Sequence, residues 1–231
     1  MKIAIHQPYF FPYIGYFGLI KNTDKWVVFD IPQFEYHGWI ERNRILKPVE
    51  GWCYIQVPLK KHSHKISIKD IEIRDNEDWR STIFGKIKVY KKISPFYNEI
   101  NEVIEKSLSI KTNSITELNC NTIKEVCKYL GIEWNYSIYS NMNLKVDDTG
   151  PLNNCLSIGN VSEYWNLPGG IKLYNKEEFR KHNIKLCFFN QKIIEYNQKR
   201  ESFEPRLSII DVMMFNSVEK INEMLNQYEL L

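Results

Sequence analysis

Residues 2–6 (KIAIH) are a short apolar run between polar ends, the pattern of a buried strand. Residues 12–22 predict a helix, with Pro12 at its start and Ile14, Phe17 and Ile20 on one face. Residues 25–30 (KWVVFD) predict a second strand that ends in an acid. Strand, helix and strand in this succession make a βαβ unit, whose two strands must run parallel. In such sheets ligands bind at the carboxyl ends of the strands. His6 and Gln7 end the first strand, and Asp30 and Gln33 end or follow the second.

Residues 31–51 are polar, aromatic and irregular, and too long for a plain connector, so they are expected to form a functional loop. Trp39, Ile40, Ile45 and Trp52 argue against disorder there. Strand-like runs follow at 54–58 and 66–73, where Ile66, Ile68, Ile71 and Ile73 nearly alternate. The basic link at 59–65 (LKKHSHK) then reads as a hairpin tip or an edge loop. Helical periodicity covers 78–92, 95–108 and 116–130, the last stopped by Gly131. A strand is expected at 135–139, a linker at 141–154 and a helical patch at 151–158. A turn at 167–170 (LPGG), a short helix at 176–182, a strand at 184–189 and closing helices at 207–215 and 217–229 complete the chain. The pattern predicts an α/β protein: a βαβ start to a mainly parallel, Rossmann-like sheet, a helical middle and C-terminal helices. One domain over 1–231 is expected, with a subdivision at 1–140 and 151–231 sharing one core.

Composition narrows the function classes. The 231 residues carry a net charge of +3, too little for a protein that coats DNA. No run of about 18 apolar residues exists to span a membrane, and the N-terminus lacks the apolar stretch and cleavage site of a secretory signal. Five scattered cysteines without C-x-x-C spacing fit free thiols in the cytoplasm and no structural zinc. Eleven of the 32 aromatic residues fall within 9–39, which marks that end of the chain for attention.

The same end carries HQPYFFPYIGYF from His6, then D-x-x-Q-F at 30–34, G-W at 38–39 and R-N-R at 42–44. Trp79, Tyr90, Pro95-Phe96, L-N at 118–119 and L-G-I at 130–132 follow. P-G-G at 168–170, Leu173-Tyr174 and P-x-L-S-I-I-D at 205–211 complete the set. In combination this resembles the WbqC-like protein family, found among genes for bacterial surface-polysaccharide (O-antigen) biosynthesis. The sequence departs from that family's pattern at Ile31, where many members have a second Asp, at Glu41 in place of Asn, and at His37 in place of a basic residue. The resemblance implies work on amino sugars, with transfer of a glycyl, aminoacyl or acyl group to the amine of a nucleotide-linked sugar. The implied partners are that sugar and an activated donor, with aminoacyl-tRNA or an acyl carrier among the candidates, and no tightly bound cofactor.

Such chemistry needs a base for the amine proton and donors facing the developing oxyanion. His6 is the candidate base, and Asp30 would orient it or hold the substrate ammonium. Arg42 and Arg44 flank Asn43, and two guanidinium forks beside Trp39 suit a diphosphate and a ring; in a strand-like stretch both arginines point the same way. Gln7, Tyr9, Gln33 and Lys60 join the substrate-binding candidates, as do Gly169 and Gly170, whose backbone could approach a phosphate. His62 and His64 without a third ligand make no metal site. Asp211, after an apolar run, is expected to pair across the core or support the site. Two other functions fit less of the pattern: an ATP-dependent ligase or nucleotidyl-type transferase, although H-x-G-H and phosphate-loop motifs are missing, and a non-catalytic glycan-binding scaffold.

Overall fold

The computed structural model describes residues 1–76, 78–146 and 148–231. Strand β1 (Lys2–His6), helix α1 (Ile14–Lys21) and β2 (Lys25–Val28) form the N-terminal unit. A hairpin follows, β3 (Arg42–Leu46) paired antiparallel with β4 (Trp52–Gln56). Helices α2 (Trp79–Ile87), α3 (Tyr97–Leu108) and α4 (Ile115–Leu130) lead to β5 (Tyr136–Ile138). Then come α5 (Pro151–Ile158), β6 (Glu163–Asn166), α6 (Lys176–Lys181) and β7 (Lys185–Gln191). The chain closes with α7 (Ile209–Phe215), α8 (Val218–Leu225) and β8 (Tyr228–Leu230).

The main sheet has the order β5-β2-β1-β6-β7-β8, parallel throughout except for β8, which runs antiparallel to β7. Its apolar positions divide by the two-residue period of a strand. Ile3, Ile5, Val27, Tyr164, Leu186 and Phe188 face Cys155 of α5 and Phe179 of α6. Ala4, Trp26, Val28, Trp165, Cys187 and Phe189 face the other way, into a larger core that includes α1, α3, α4, α7, α8 and the hairpin. Both faces are therefore covered, as a parallel sheet requires. The strands come from both the first 140 residues and the part after residue 151, with β6 of the second part paired directly to β1.

Helix α4 follows its sequence signals closely. The Ser114 hydroxyl caps it by accepting from the Glu117 N–H at 3.3 Å. Gly131 ends it in the left-handed conformation (φ 67°), and the Ile132 N–H donates back to the Cys127 carbonyl at 2.9 Å. Burial raises the Cys120 thiol to about 12 and that of Cys127 higher still, so both are inert core groups.

Several expectations change. Helix α1 begins at Ile14 rather than Pro12, because the Pro12 carbonyl is turned away to accept from the Ile209 N–H at 2.9 Å. The supposed loop at 31–51 contains β3, whose outward Arg42 and Arg44 hide its alternation among polar residues. The run at 66–73 is no strand. It holds a short 3-10 turn at Ile68–Asp70 and makes single bridges at Ser67, Glu72 and Ile73, while Ile68, Ile71 and Ile73 plug the core. The basic link at 59–65 is accordingly a wide loop closed by the Leu59–Ile73 bridge. Strand β6 has no counterpart among the expected elements, and the last helix stops at Leu225, with β8 where the pattern predicts helix. The linker at 141–154 ends in the first turn of α5, and its Asp147 lies outside the described residues. Among the described residues no helix is long and apolar enough to cross a membrane.

Candidate functional site

From β1 the sheet grows through β2 to β5 on one side and through β6 to β8 on the other. The connections leaving β1 and β6 diverge at their carboxyl ends and open a crevice, the place where open α/β sheets bind ligands. A cavity of about 700 Å³ occupies it. Its walls are the chain after β1 (His6, Gln7, Tyr9, Tyr13), the chain after β6 (Asn166 to Gly170, Tyr174), the hairpin with Trp39, Asn43 and Arg44, and Arg206. A groove of similar volume lies against the ends of the helical middle, where its Asp75 and Arg80 already pair with each other at 2.7 Å.

The loop after β1 is stapled at its carbonyls. Tyr16 donates its hydroxyl to the Gln7 carbonyl at 2.9 Å, and the Asn119 amide bridges the Pro8 and Ile40 carbonyls, 2.8 Å each. The Asn43 amide donates to Phe10 and Phe11 at 3.0 and 2.9 Å, and Ser208 to Phe11 at 2.8 Å. These bonds hold buried Phe11 at a positive φ of 40°, a conformation a bulky residue adopts only when its surroundings enforce it. The motif residues of the first 12 positions, Asn43, the L-N of α4 and Ser208 thus build one rigid lip.

His6 lies at the inner end. Its ring stacks on Trp26 (centroids 5.6 Å apart) and meets the edge of Tyr16 at 6.1 Å. Desolvation lowers its pKa from 6.5 to about 4, against a smaller upward pull from its hydrogen bond to the Asn166 side chain. The imidazole is therefore neutral at neutral pH, and its Nε2 has no partner. Asn166 is buried and also accepts from the Leu167 N–H at 2.8 Å. Gly170 makes room for it: a Cβ there would stand 2.5 Å from Asn166 Nδ2 and 3.0 Å from the Tyr174 ring. Gly169 faces open space. Tyr9 and Tyr13 have phenols raised by burial above their usual range, so both remain O–H donors. At the outer end Arg44 lies over the Trp39 and Trp52 rings at 5.4 and 5.1 Å and donates to the Arg206 carbonyl at 3.0 Å.

The profile of the WbqC-like protein family matches residues 7–223. The chain belongs to the WbqC-like family. It is also 27% identical over 219 residues to an uncharacterized protein of Mycobacterium tuberculosis, with 93% of each chain covered. No solved structure matches it.

Of the residues singled out in this WbqC-like sequence, the crevice gathers His6, Gln7, Tyr9, Trp39, Asn43, Arg44, Gly169 and Gly170. Asn43 does so mainly as a staple. Four others lie elsewhere. Asp30 is buried but turned to Ser140, accepting from its N–H at 3.0 Å and its hydroxyl at 2.6 Å, so it neither orients His6 nor faces the cavity. Gln33 donates to the His64 carbonyl at 2.7 Å, and Lys60 pairs with Glu72 at 2.5 Å on the exposed loop. Arg42 shares Arg44's face of β3 but leans outward over Tyr54 at 4.0 Å and bonds His37. Among the described residues no cluster of three His, Cys, Asp or Glu could hold a metal.

Asn166, Tyr13 and Arg206 are the residues that sequence reasoning missed. Asn166 sits at the carboxyl end of a strand that four residues, EYWN, barely announce. The P-G-G two residues later was the available signal.

The two arginines should separate in a binding experiment. If the crevice takes a nucleotide diphosphate sugar, Arg44→Ala should weaken its binding by about 10- to 100-fold, the worth of one charge-assisted hydrogen bond. Arg42→Ala should leave it unchanged, since Arg42 does not line the cavity. Titration calorimetry checks both.

Proposed function

We propose that this WbqC-like protein is a cytoplasmic enzyme of surface-polysaccharide biosynthesis that transfers an acyl or aminoacyl group to the amine of a nucleotide-linked amino sugar. The observation that carries the reading is the polarity of the crevice: a neutral histidine lining one end, and at the other Arg44 over the Trp39 ring with Arg206 in the same wall. The cationic end suits the diphosphate and base, which puts the sugar ring inward, toward His6.

The amine nitrogen then attacks the carbonyl carbon of the donor, a thioester or an ester. A C–N bond forms, and the C–S or C–O bond of the donor breaks. The His6 imidazole takes the proton from the new ammonium and returns it to the departing sulfur or oxygen. The protonated phenols of Tyr9 and Tyr13 provide donors for the oxyanion of the tetrahedral intermediate. A neutral imidazole is required at the start; burial secures it, and the same burial makes it a weaker proton acceptor than a free histidine.

Candidate nucleotide amino sugars would be incubated with acyl-coenzyme A, aminoacyl-tRNA, or ATP plus free glycine, and products read by mass spectrometry. Amide product with a preformed thioester or ester is expected. Product only with ATP and free glycine would replace the transferase by a ligase. Sugar-nucleotide binding without turnover under any donor would leave a scaffold.

A further inference from the structure

The outer face of the hairpin carries a row of rings and guanidinium groups that the crevice uses only at one end. From the cavity lip it runs Trp39, Arg44, Trp52, Tyr54, Arg42. Arg44 lies between the two tryptophan rings, Trp52 meets Tyr54 at 5.0 Å, and the Arg42 guanidinium covers Tyr54 at 4.0 Å. The antiparallel register, Arg44 opposite Tyr54 and Leu46 opposite Trp52, puts the arginines and rings on one side, while Asn43, Ile45 and Ile55 are buried on the other. The outward positions of β3 and β4 include no carboxylate. Trp39 and Trp52, both flanking Arg44, remain 38% and 37% exposed. Rings alternating with guanidinium groups are how proteins hold nucleotides by stacking and by phosphate contact at once.

We propose that this ladder is the subsite for the adenosine-phosphate handle of the activated donor, leading its reactive end over the lip toward His6. The inference rests on the transferase reading above, and chemistry narrows the handle. A thioester of coenzyme A, an aminoacyl ester at the 3′ end of an RNA, and an acyl adenylate all present an adenine ring with phosphate nearby. The acceptor's own diphosphate is served inside the crevice by Arg44 and Arg206, so Arg42 and Tyr54 are left for a second nucleotide. Rings seated beside guanidinium groups serve a purine and its phosphate better than a bilayer.

The test is fluorescence anisotropy and calorimetry on the whole chain with coenzyme A, ATP, and a single-stranded RNA ending in CCA, each with and without nucleotide sugar. At least one adenosine probe is expected to bind, and the tightest identifies the source. Arg42→Gln and Tyr54→Leu should each weaken it about tenfold or more, the typical worth of a stacked base. Both variants should keep nucleotide-sugar affinity, which also serves as the check that they fold. Sugar-nucleotide binding with no adenosine probe bound, or probe binding indifferent to both variants, would overturn the subsite and leave the crevice reading intact. Failure of the nucleotide sugar itself to bind would strike the crevice reading instead.

Discussion

Alanine in place of His6 is expected to slow transfer by about 10²- to 10⁴-fold, the contribution of a positioned general base, with nucleotide-sugar affinity nearly unchanged. On the proposed reading the affinity survives, because there the cationic end, not the imidazole, holds the diphosphate. The same residue sets a pH signature. With its pKa lowered to about 4, His6 stays a proton acceptor down to that region, so the acid limb of kcat/KM should fall near pH 4 and not near 6.5. Stability follows by linkage. Between pH 6.5 and 4 the unfolded chain binds a proton that folded His6 refuses, so its contribution is complete above 6.5 and is lost as pH falls toward 4. The total is roughly 3 kcal/mol, from 1.36 kcal/mol per pH unit over the lowered range. Urea unfolding at pH 7.5 and 4.5 would measure it. His6→Gln should flatten the difference, and an equally steep loss in that variant would remove the histidine from the account.

Asp211→Ala should cost about 3 kcal/mol or more, the penalty for leaving three buried neutral donors without their acceptor. Asp211 is fully buried on α7, accepting from Tyr90 at 2.8 Å, Tyr196 at 2.6 Å and the Gln198 amide at 2.7 Å. Tyr90 in turn accepts from the Leu46 N–H at 3.0 Å. Burial raises the carboxyl's pKa, and the donors from Tyr196, Tyr90 and Gln198 oppose the rise. Alanine would strand three donors around a cavity, and each buried unmet group costs about 1–3 kcal/mol. The Asp211→Asn change keeps the volume and one acceptor, and it should cost less. Chemical denaturation orders the two variants. A loss under about 1 kcal/mol for alanine would mean that the tyrosines find other partners.

These two residues also mark where sequence reading succeeds and stops. The N-terminal strand, helix and strand were legible because apolar runs, turn residues and spacing all agree there, and α4 because both its ends carry chemical stops. Period alone misled at 66–73: four isoleucines alternate there, yet single bridges replace a ladder. Strand β3 was legible only as a strand-like R-N-R inside a presumed loop, because its outward positions are arginines that lie over rings and the hydrophobic signal appears only at Ile45 and Leu46. Asp30 illustrates the limit of the strand-end rule. The chain runs two residues past β2, and a serine more than a hundred positions away captures the carboxylate. Arg206 was out of reach for a related reason, since nothing local to it announces Arg44 as a neighbour, and for Asn166 the adjacent P-G-G marked the place without naming His6.

The crevice has a practical corollary in its ancestry along the chain. Its walls are drawn from 5–13, 39–44, 164–174 and 190–206, so no fragment can own it, and whatever occupies it ties the melting of all these segments together. A ligand at a hundredfold excess over its Kd adds about 2.7 kcal/mol to the folded state. For a chain of this size that corresponds to about 5–10 °C in Tm. A panel of nucleotide sugars could thus be sorted by heat alone, before any reaction is assayed and without knowing what the second substrate is.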